Sequence, residues 1–189
     1  FLPWLNLQGK VSRNYRVPTL NDRFWNGGGN ENLNPESGWS QEATIHCPIK
    51  LGQSSFNFSL TGFNRNINQW ILWAPAADQS GWAAFNITKV WSRGLESRFS
   101  FSQKIKTIQL QINAGYDFIK STNEVAMELP KREVGQQLIY VPTHQAFGRA
   151  NLILKKLNIS YQHTFTGKAK GQYGDLKSYQ IGNARVQYS

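Results

Sequence analysis

The segment Thr107 to Phe118 reads as two interleaved strings. Ile108, Leu110, Ile112, Ala114, Tyr116 and Phe118 fall on one phase, and Thr107, Gln109, Gln111, Asn113, Gly115 and Asp117 on the other. Side chains of a strand point alternately to its two faces, so this segment makes one apolar and one polar face. The polar phase is mostly uncharged Gln, Asn and Thr, which suits a wet lumen better than an open surface. Any fold for this chain must give such strands both environments.

The alternation recurs. Leu5, Leu7, Gly9 and Val11 share a phase, as do Ala43, Ile45, Cys47, Ile49 and Leu51, then Phe56, Phe58 and Leu60. A fourth strand offers Phe85, Ile87, Trp91, Leu95, Phe99 and Phe101, and the fifth is the segment above. A sixth has Ala146, Gly148, Ala150, Leu152 and Leu154, a seventh Leu157, Ile159, Tyr161 and Phe165, an eighth Ala184, Val186 and Tyr188. Helical periodicity competes nowhere over a useful length. The expected fold is all-β, an antiparallel up-and-down meander of about eight strands.

Connection lengths add a direction. Tyr15 to Gly38, Ala74 to Trp82, Ser121 to Thr143 and Gly167 to Ser178 read as long connections. Between them lie tight turns near Gly52-Gln53-Ser54, Gln103 to Lys106, and Lys156. Long and short alternate, so every long loop lies at one end of the sheet. Outer-membrane barrels are built this way. No apolar run reaches the roughly 18 residues of a spanning helix. The most apolar stretch, Trp70 to Ala77, is short and holds a proline. Membrane strands need no such run.

Charge obeys the same division. Glu42, Glu96, Arg98, Asp117, Arg149 and Arg185 lie on the polar phase, as expected where a lipid-facing Lys or Arg costs about 2–4 kcal/mol at mid-depth. Lys89, Arg93 and His163 are exceptions on the apolar phase. Lys89 is near the long-loop end, where it could meet lipid phosphates; Arg93 and His163 call for a bulge or a polar neighbour. The net charge of +10 comes from scattered Lys and Arg, with no basic run or nucleic-acid signature, so no nucleic-acid partner is expected. The single Cys47 allows neither a disulfide framework nor a multi-cysteine zinc site.

Other features have plain readings. Gly27-Gly28-Gly29 lacks the Gly-Lys-Ser/Thr of a phosphate cradle and reads as a flexible loop. His46, His144 and His163 lack metal-ligand spacing with one another or with Cys47, so structural roles are expected and no metal. The sequons at Asn57, Asn86 and Asn158 fall within strands and read as chance. Asp22, Glu31 and Glu36 share a loop and read as solvated acids, Glu36 with a structural role. No nucleophile, base and orienting group assemble, so the chain is read as a non-enzyme without cofactor.

The first long loop carries a resemblance. Tyr15-Arg16-Val17-Pro18-Thr19-Leu20-Asn21-Asp22 is followed by Gly27-Gly28-Gly29-Asn30 and by Asn32-Leu33-Asn34-Pro35-Glu36. This resembles the barrel of TonB-dependent outer-membrane receptors, with its F-R-x-P-T-L-x-[DE]-L segment, glycine-rich stretch and G-N-x-x-L-x-P-E. Ile67 to Ile71, Val90 to Glu96 and Leu138 to Pro142 match further elements in order. Trp70 to Trp73 and Val141 to His144 look most like the cobalamin-receptor branch.

The resemblance covers essentially the whole chain but only part of such a receptor, whose barrel has about 22 strands and a plugged lumen. Residues 1–189 are then expected to be an internal piece of the C-terminal half of the barrel. The plug, the N-terminal strands and the last strands belong to a longer protein; the start at Phe1-Leu2-Pro3 without Met agrees. The implied function is TonB-driven uptake of a scarce ligand across the outer membrane of a Gram-negative bacterium. Implied partners are the TonB complex, the receptor's own plug, a small-molecule ligand (cobalamin, or a siderophore) and outer-membrane lipid or lipopolysaccharide. Trp25, Asn30, Trp73 and Trp82, in or beside long loops, are candidate ligand contacts; girdle or loop packing is the competing reading of the tryptophans. Glu96, Arg98, Asp117 and Arg149 are candidate lumen residues that pair or face the plug. Two other architectures fit the alternation, a closed eight-stranded barrel and a soluble β-sandwich with Trp-lined sugar sites.

Overall fold

A computed structural model describes residues 4–76, 81–128, 131–171 and 174–188. Eight long strands form one antiparallel sheet in the order β1 (Asn6–Arg16), β2 (Glu36–Leu51), β3 (Ser54–Pro75), β4 (Trp82–Ile105), β5 (Ile108–Asn123), β8 (His144–Leu154), β9 (Leu157–Thr166) and β12 (Tyr179–Tyr188). Small hairpins sit within two connections, β6 (Met127–Glu128) with β7 (Lys131–Arg132) and β10 (Ala169–Lys170) with β11 (Asp175–Leu176). A five-residue helix α1 (Leu20–Phe24), which β-periodicity gave no hint of, lies between β1 and β2.

Each predicted strand is present in the predicted sequential pairing, and the short turns close where expected. Gly52, Lys106 and Lys155 adopt φ of 57°, 54° and 54°, the left-handed backbone that tight hairpin turns use. The long connections differ from their expected form. β3 and β4 continue in register to Pro75↔Trp82, so the expected loop from Ala74 is a strand pair projecting beyond the sheet. Its tip, 77–80, lies outside the described residues.

Because directly paired residues share a face, the register turns phases into rows. Ile49, Phe56, Phe101, Ile112, Ala150, Tyr161 and Ala184 form one row across seven strands. Gly9, Ala43, Gly62, Leu95 and Phe118 form another nearer the long loops. The next row reads Val11, Gln41, Asn64, Arg93 and Lys120, and the one beyond it Arg13, Trp39, Asn66, Trp91 and Thr122. The apolar strip on β3 thus runs from Phe56 to Gly62 and ends at Asn64.

Among the described residues nothing covers that strip. Leu7, Val11, Leu51, Phe58, Leu95 and Val186 are all exposed, at 73, 68, 65, 42, 49 and 68%. The accessible surface, 12601 Å², exceeds the roughly 9,000 Å² expected of a compact monomer of this mass. The core is confined to the long-loop end. Leu33, Ile71 and Ala84 pack with Trp73, and Ile87, Val90 and Leu138 with Trp70, Leu72 and Val141. Among the described residues no second sheet lies on the apolar face, so the sandwich reading fails. Among them, too, β1 pairs only with β2 and β12 only with β9, so the sheet is open, and the closed eight-stranded barrel fails as well.

Two of the three exceptions, Arg93 and His163, find polar neighbours rather than bulges. The Arg93 guanidinium lies over the Trp91 ring, 3.5 Å from its centroid, and donates to the Thr122 hydroxyl at 3.0 Å. His163 Nδ1 meets the Tyr161 hydroxyl at 3.0 Å, and its Nε2 meets Gln180 Oε1 at 2.7 Å.

Candidate functional site at the long-loop end

The connection 17–35 is a folded element, and its order begins with a sequence signal. Thr19 caps α1: its hydroxyl accepts from Asp22 N–H at 3.1 Å, and the Asp22 carboxylate accepts from Thr19 N–H at 2.9 Å. This is a reciprocal capping box. The same carboxylate takes Arg16 Nη2 at 3.0 Å and the Trp73 indole N–H at 3.0 Å. Arg16 also pairs with Glu36, whose Oε1 accepts from Ile71 N–H at 2.9 Å. One arginine and two carboxylates thus clasp the base of the connection to β1, β2 and β3.

The solvated reading of Asp22 is therefore corrected, while Glu36 has the structural place expected of it. Both are buried, at 5% and 7%, while Glu31 is exposed as expected. Loop acids stay in water unless several donors replace it, and here Thr19, Arg16 and Trp73 do so at Asp22. Burial by itself raises the Asp22 pKa, but the bonds from Trp73 and Thr19 and the charge of Arg16 outweigh it, leaving the group below its ordinary value.

Two of the three glycines, Gly28 and Gly29, are also packed rather than loose. Gly28 and Gly29 N–H both reach Trp25 C=O, at 3.2 and 2.8 Å, and Ala84 N–H donates to Gly28 C=O at 3.0 Å. A Cβ at Gly28 would run into the Trp82 carbonyl oxygen, so glycine lets this segment lie directly on β4. Asn30 follows, donating from Nδ2 to Ala84 C=O at 3.2 Å and accepting Asn32 N–H at 3.0 Å. Asn34 and Asn86 close the far side through Asn34 N–H to Asn86 Oδ1 at 2.8 Å and Asn86 Nδ2 to Asn34 C=O at 3.0 Å.

The four candidate ligand contacts separate into two kinds. Trp73 and Asn30 have their polar atoms engaged within the protein. Trp25 and Trp82 are exposed, at 59% and 46%, and Gly28 links them through its contacts with both. The connection between β5 and β8 is organised by residues that sequence reading passed over. Asn123, 1% exposed, donates from Nδ2 to Glu133 C=O at 2.8 Å and accepts Gly135 N–H at 2.8 Å through its backbone carbonyl. Gln137 Oε1 accepts Ser121 N–H at 3.0 Å. No periodicity marks such side-chain-to-backbone bonds, whereas Thr19-x-x-Asp22 is a readable cap.

On the polar face, Arg98 pairs with Asp117 across β4 and β5, and Glu96 lies directly opposite Asp117. Arg98 also sits over the Phe147 ring at 5.8 Å, while Arg149 is opposite Asn113 one row away. All four candidate lumen charges therefore share one face over three adjacent strands. A second ion pair on this face joins Arg65 to Glu42 at 2.8 Å. Of the histidines, His144 meets Tyr116 at 2.7 Å, and no metal-binding group of His, Cys, Asp and Glu occurs among the described residues.

Known proteins with these features point one way. The vitamin B12 transporter BtuB of Photobacterium profundum is 28% identical over 123 residues, 64% of this chain and 19% of that protein. The vitamin B12 transporter BtuB of Vibrio vulnificus is 30% identical over 82 residues, 43% of this chain and 13% of that protein. The chain thus spans less than a fifth of the length of these curated relatives. Among solved structures, the siderophore receptor PirA from Acinetobacter baumannii matches 99% of this chain with 33% of its own, at TM-score 0.65 and 18% identity. The copper transporter OprC matches 97% with 28% of its own, at TM-score 0.68 and 12% identity. At such identities the structural likeness speaks for the fold alone. A model of the family described as TonB dependent receptor-like, beta-barrel, matches residues 1–189, and the chain belongs to that family of TonB-dependent receptor β-barrels.

Proposed function

We propose that this chain is a barrel segment of an outer-membrane receptor that takes up cobalamin with energy supplied through TonB. The observation that carries the uptake reading is the family match over residues 1–189, joined to an apolar sheet face that nothing among the described residues covers. Lipid is the partner chemically suited to that face, and a plug and lumen water to the Gln, Asn and ion-pair face. The function is binding and transport rather than catalysis. The plug and the TonB-engaging segment belong to the rest of the receptor, in the outer membrane of a Gram-negative bacterium.

Cobalamin rests on the names of the two relatives, both vitamin B12 transporters. A siderophore is the second reading, favoured by the siderophore receptor that matches 99% of the chain by fold. In either case the exposed Trp25 and Trp82 are the aromatic surfaces available for stacking on a ligand. Equilibrium binding to the full-length receptor in detergent tests this. Saturable binding of cyanocobalamin is expected. Saturable binding of a ferric siderophore such as ferric pyoverdine, without cyanocobalamin binding, would reassign the branch.

A further inference from the structure

The short-turn end of the sheet carries charge of one sign. Its tight turns join β2 to β3, β4 to β5 and β8 to β9, and they bring Lys50, Lys104, Lys106, Lys155 and Lys156 to one edge. All five side chains are exposed. Among the described residues none of them is in a salt bridge. The nearest carboxylates along these strands, Glu42 and Glu96, stand about eight residues from Lys50 and Lys104, roughly 26 Å away. Hairpin turns do not require this. Gly52 supplies the left-handed φ of the first turn, but Lys106 and Lys155 take the same conformation, at 54° each, in the other two. Glycine or asparagine adopts that backbone with less strain, so these lysines stand there against local preference.

The turns are held in a row. Lys104 N–H donates to Gln53 C=O at 3.3 Å, and Lys155 N–H to Thr107 C=O at 3.4 Å. Each tip is thus tied to the next, about 10 Å apart at two strand spacings. Lys50, Lys104 and Lys106 line one recess between the first two turns. Like charges at such spacing, near the screening length of about 8 Å in physiological salt, repel one another unless an anion lies against them. Register decides which medium holds that anion. Lys50 pairs with Ser55 and Lys104 with Gln109, on the polar phase, and the other three lysines sit at the tips. The apolar phase at this level carries Leu51, Ile105, Ile108, Leu154 and Leu157. The lipid-facing side therefore holds no charge here, and the ammonium groups leave on the watery side. Lysine presents a hydrated point charge rather than a planar fork. The tips hold no aromatic or arginine anchor of the kind a specific protein interface is built on. A row of weak, repeated contacts fits a polymer that carries repeated carboxylates.

We infer that the short-turn end is a docking surface for the carboxylate-bearing peptides of cell-wall peptidoglycan. The inference rests on the outer-membrane reading above, which puts the short turns on the periplasmic side. It gives the receptor a fixed neighbour on the face opposite to ligand entry.

The test is cosedimentation of the full-length receptor, in detergent, with purified sacculi of a Gram-negative bacterium. Retention is expected at low salt and release at about 0.5 M NaCl, where the screening length falls to about 4 Å. Sacculi whose carboxylates have been amidated should retain none. An exposed ion pair contributes roughly a factor of two, so Lys106→Gln with Lys155→Gln and Lys156→Gln should weaken retention about eightfold. Lys106→Asn with Lys155→Asn should weaken it about fourfold without loss of thermal stability, because asparagine suits the left-handed turn. Lys120→Gln with Lys168→Gln and Lys177→Gln, which removes the same charge from the long-loop end, should leave it unchanged. Equal retention by the triple turn variant, an equal loss in the long-loop control, or undiminished binding to amidated sacculi overturns the docking surface. If native mass spectrometry shows the turn variant losing phosphatidylglycerol while sacculus binding persists, the lysines serve lipid and the wall is overturned. If fractionation of cells places the receptor outside the outer membrane, the outer-membrane reading falls and takes this one with it; a receptor found there that ignores sacculi refutes the docking surface alone.

Discussion

Replacing Asp22 by Ala should release the first long connection while leaving the sheet intact. The carboxylate accepts Thr19 N–H at 2.9 Å, the Trp73 indole at 3.0 Å and Arg16 at 3.0 Å. Hydrogen bonds to an ionised acceptor contribute about 1.5–3 kcal/mol each. Arg16 is 46% exposed at its side chain, so solvent screening reduces its share to less than about 1 kcal/mol. The two remaining bonds amount to about 3–6 kcal/mol, both holding the connection 17–35. An opening equilibrium shifted by about 3 kcal/mol raises amide exchange by more than about a hundredfold. Hydrogen exchange of the full-length receptor in detergent reads this directly. The peptide containing Asn30, whose N–H donates to Asp22 C=O at 2.9 Å, should lose protection, while peptides from β8 and β9 should not. Asp22→Asn keeps an acceptor for one donor and should fall between. If exchange over 17–35 changes by less than about threefold in Asp22→Ala, the clasp does not hold the loop.

Three further outcomes are expected. The Asp22 pKa is lowered in the folded state, so its stabilisation is full above the ordinary carboxylate value near 4 and fades as pH falls through the lower folded value. Pepsin cleavage within 17–35 should therefore rise steeply between about pH 4 and pH 2, and in Asp22→Ala the pH dependence should flatten. Ala114→Arg, in the row of Phe58 and Phe99, should cost about 2–4 kcal/mol in urea unfolding from liposomes, whereas Asn113→Arg next to it should stay within about 0.5 kcal/mol; equal effects would refute the assignment of the faces. Trp25→Ala and Trp82→Ala should weaken ligand binding by about tenfold without altering exchange in 17–35. Trp73→Ala should instead raise exchange there, because its indole is a donor to Asp22.

What the sequence made legible and what it hid follow from the range of the forces involved. A strand at the boundary of two media must alternate, so Ile108 to Phe118 announces its phase, and the register places Leu110 opposite Leu152 as the meander requires. The shared face of Glu96, Arg98, Asp117 and Arg149 follows from the same constraint. Arg93 is opaque because its partners lie across the sequence: Thr122 comes to it only through the β4–β5 pairing. The long connections are opaque for another reason. Asp22, Glu36, Asn123 and Gln137 act by bonding to backbone, which leaves no period, and the strands β3 and β4 run on past the point where one face stops being apolar. The cap Thr19-x-x-Asp22 is the one local signal there.

The place where each strand turns polar has a consequence of its own. On β2, β3, β4 and β5 the change comes in one row, at Gln41, Asn64, Arg93 and Lys120. The edge of the apolar band therefore crosses four strands at a single level, over three strand spacings of about 4.8 Å each. Register is thus written into side-chain identity in an open sheet, and moving one of these strands by two residues would set its neighbours at odds over where the water begins.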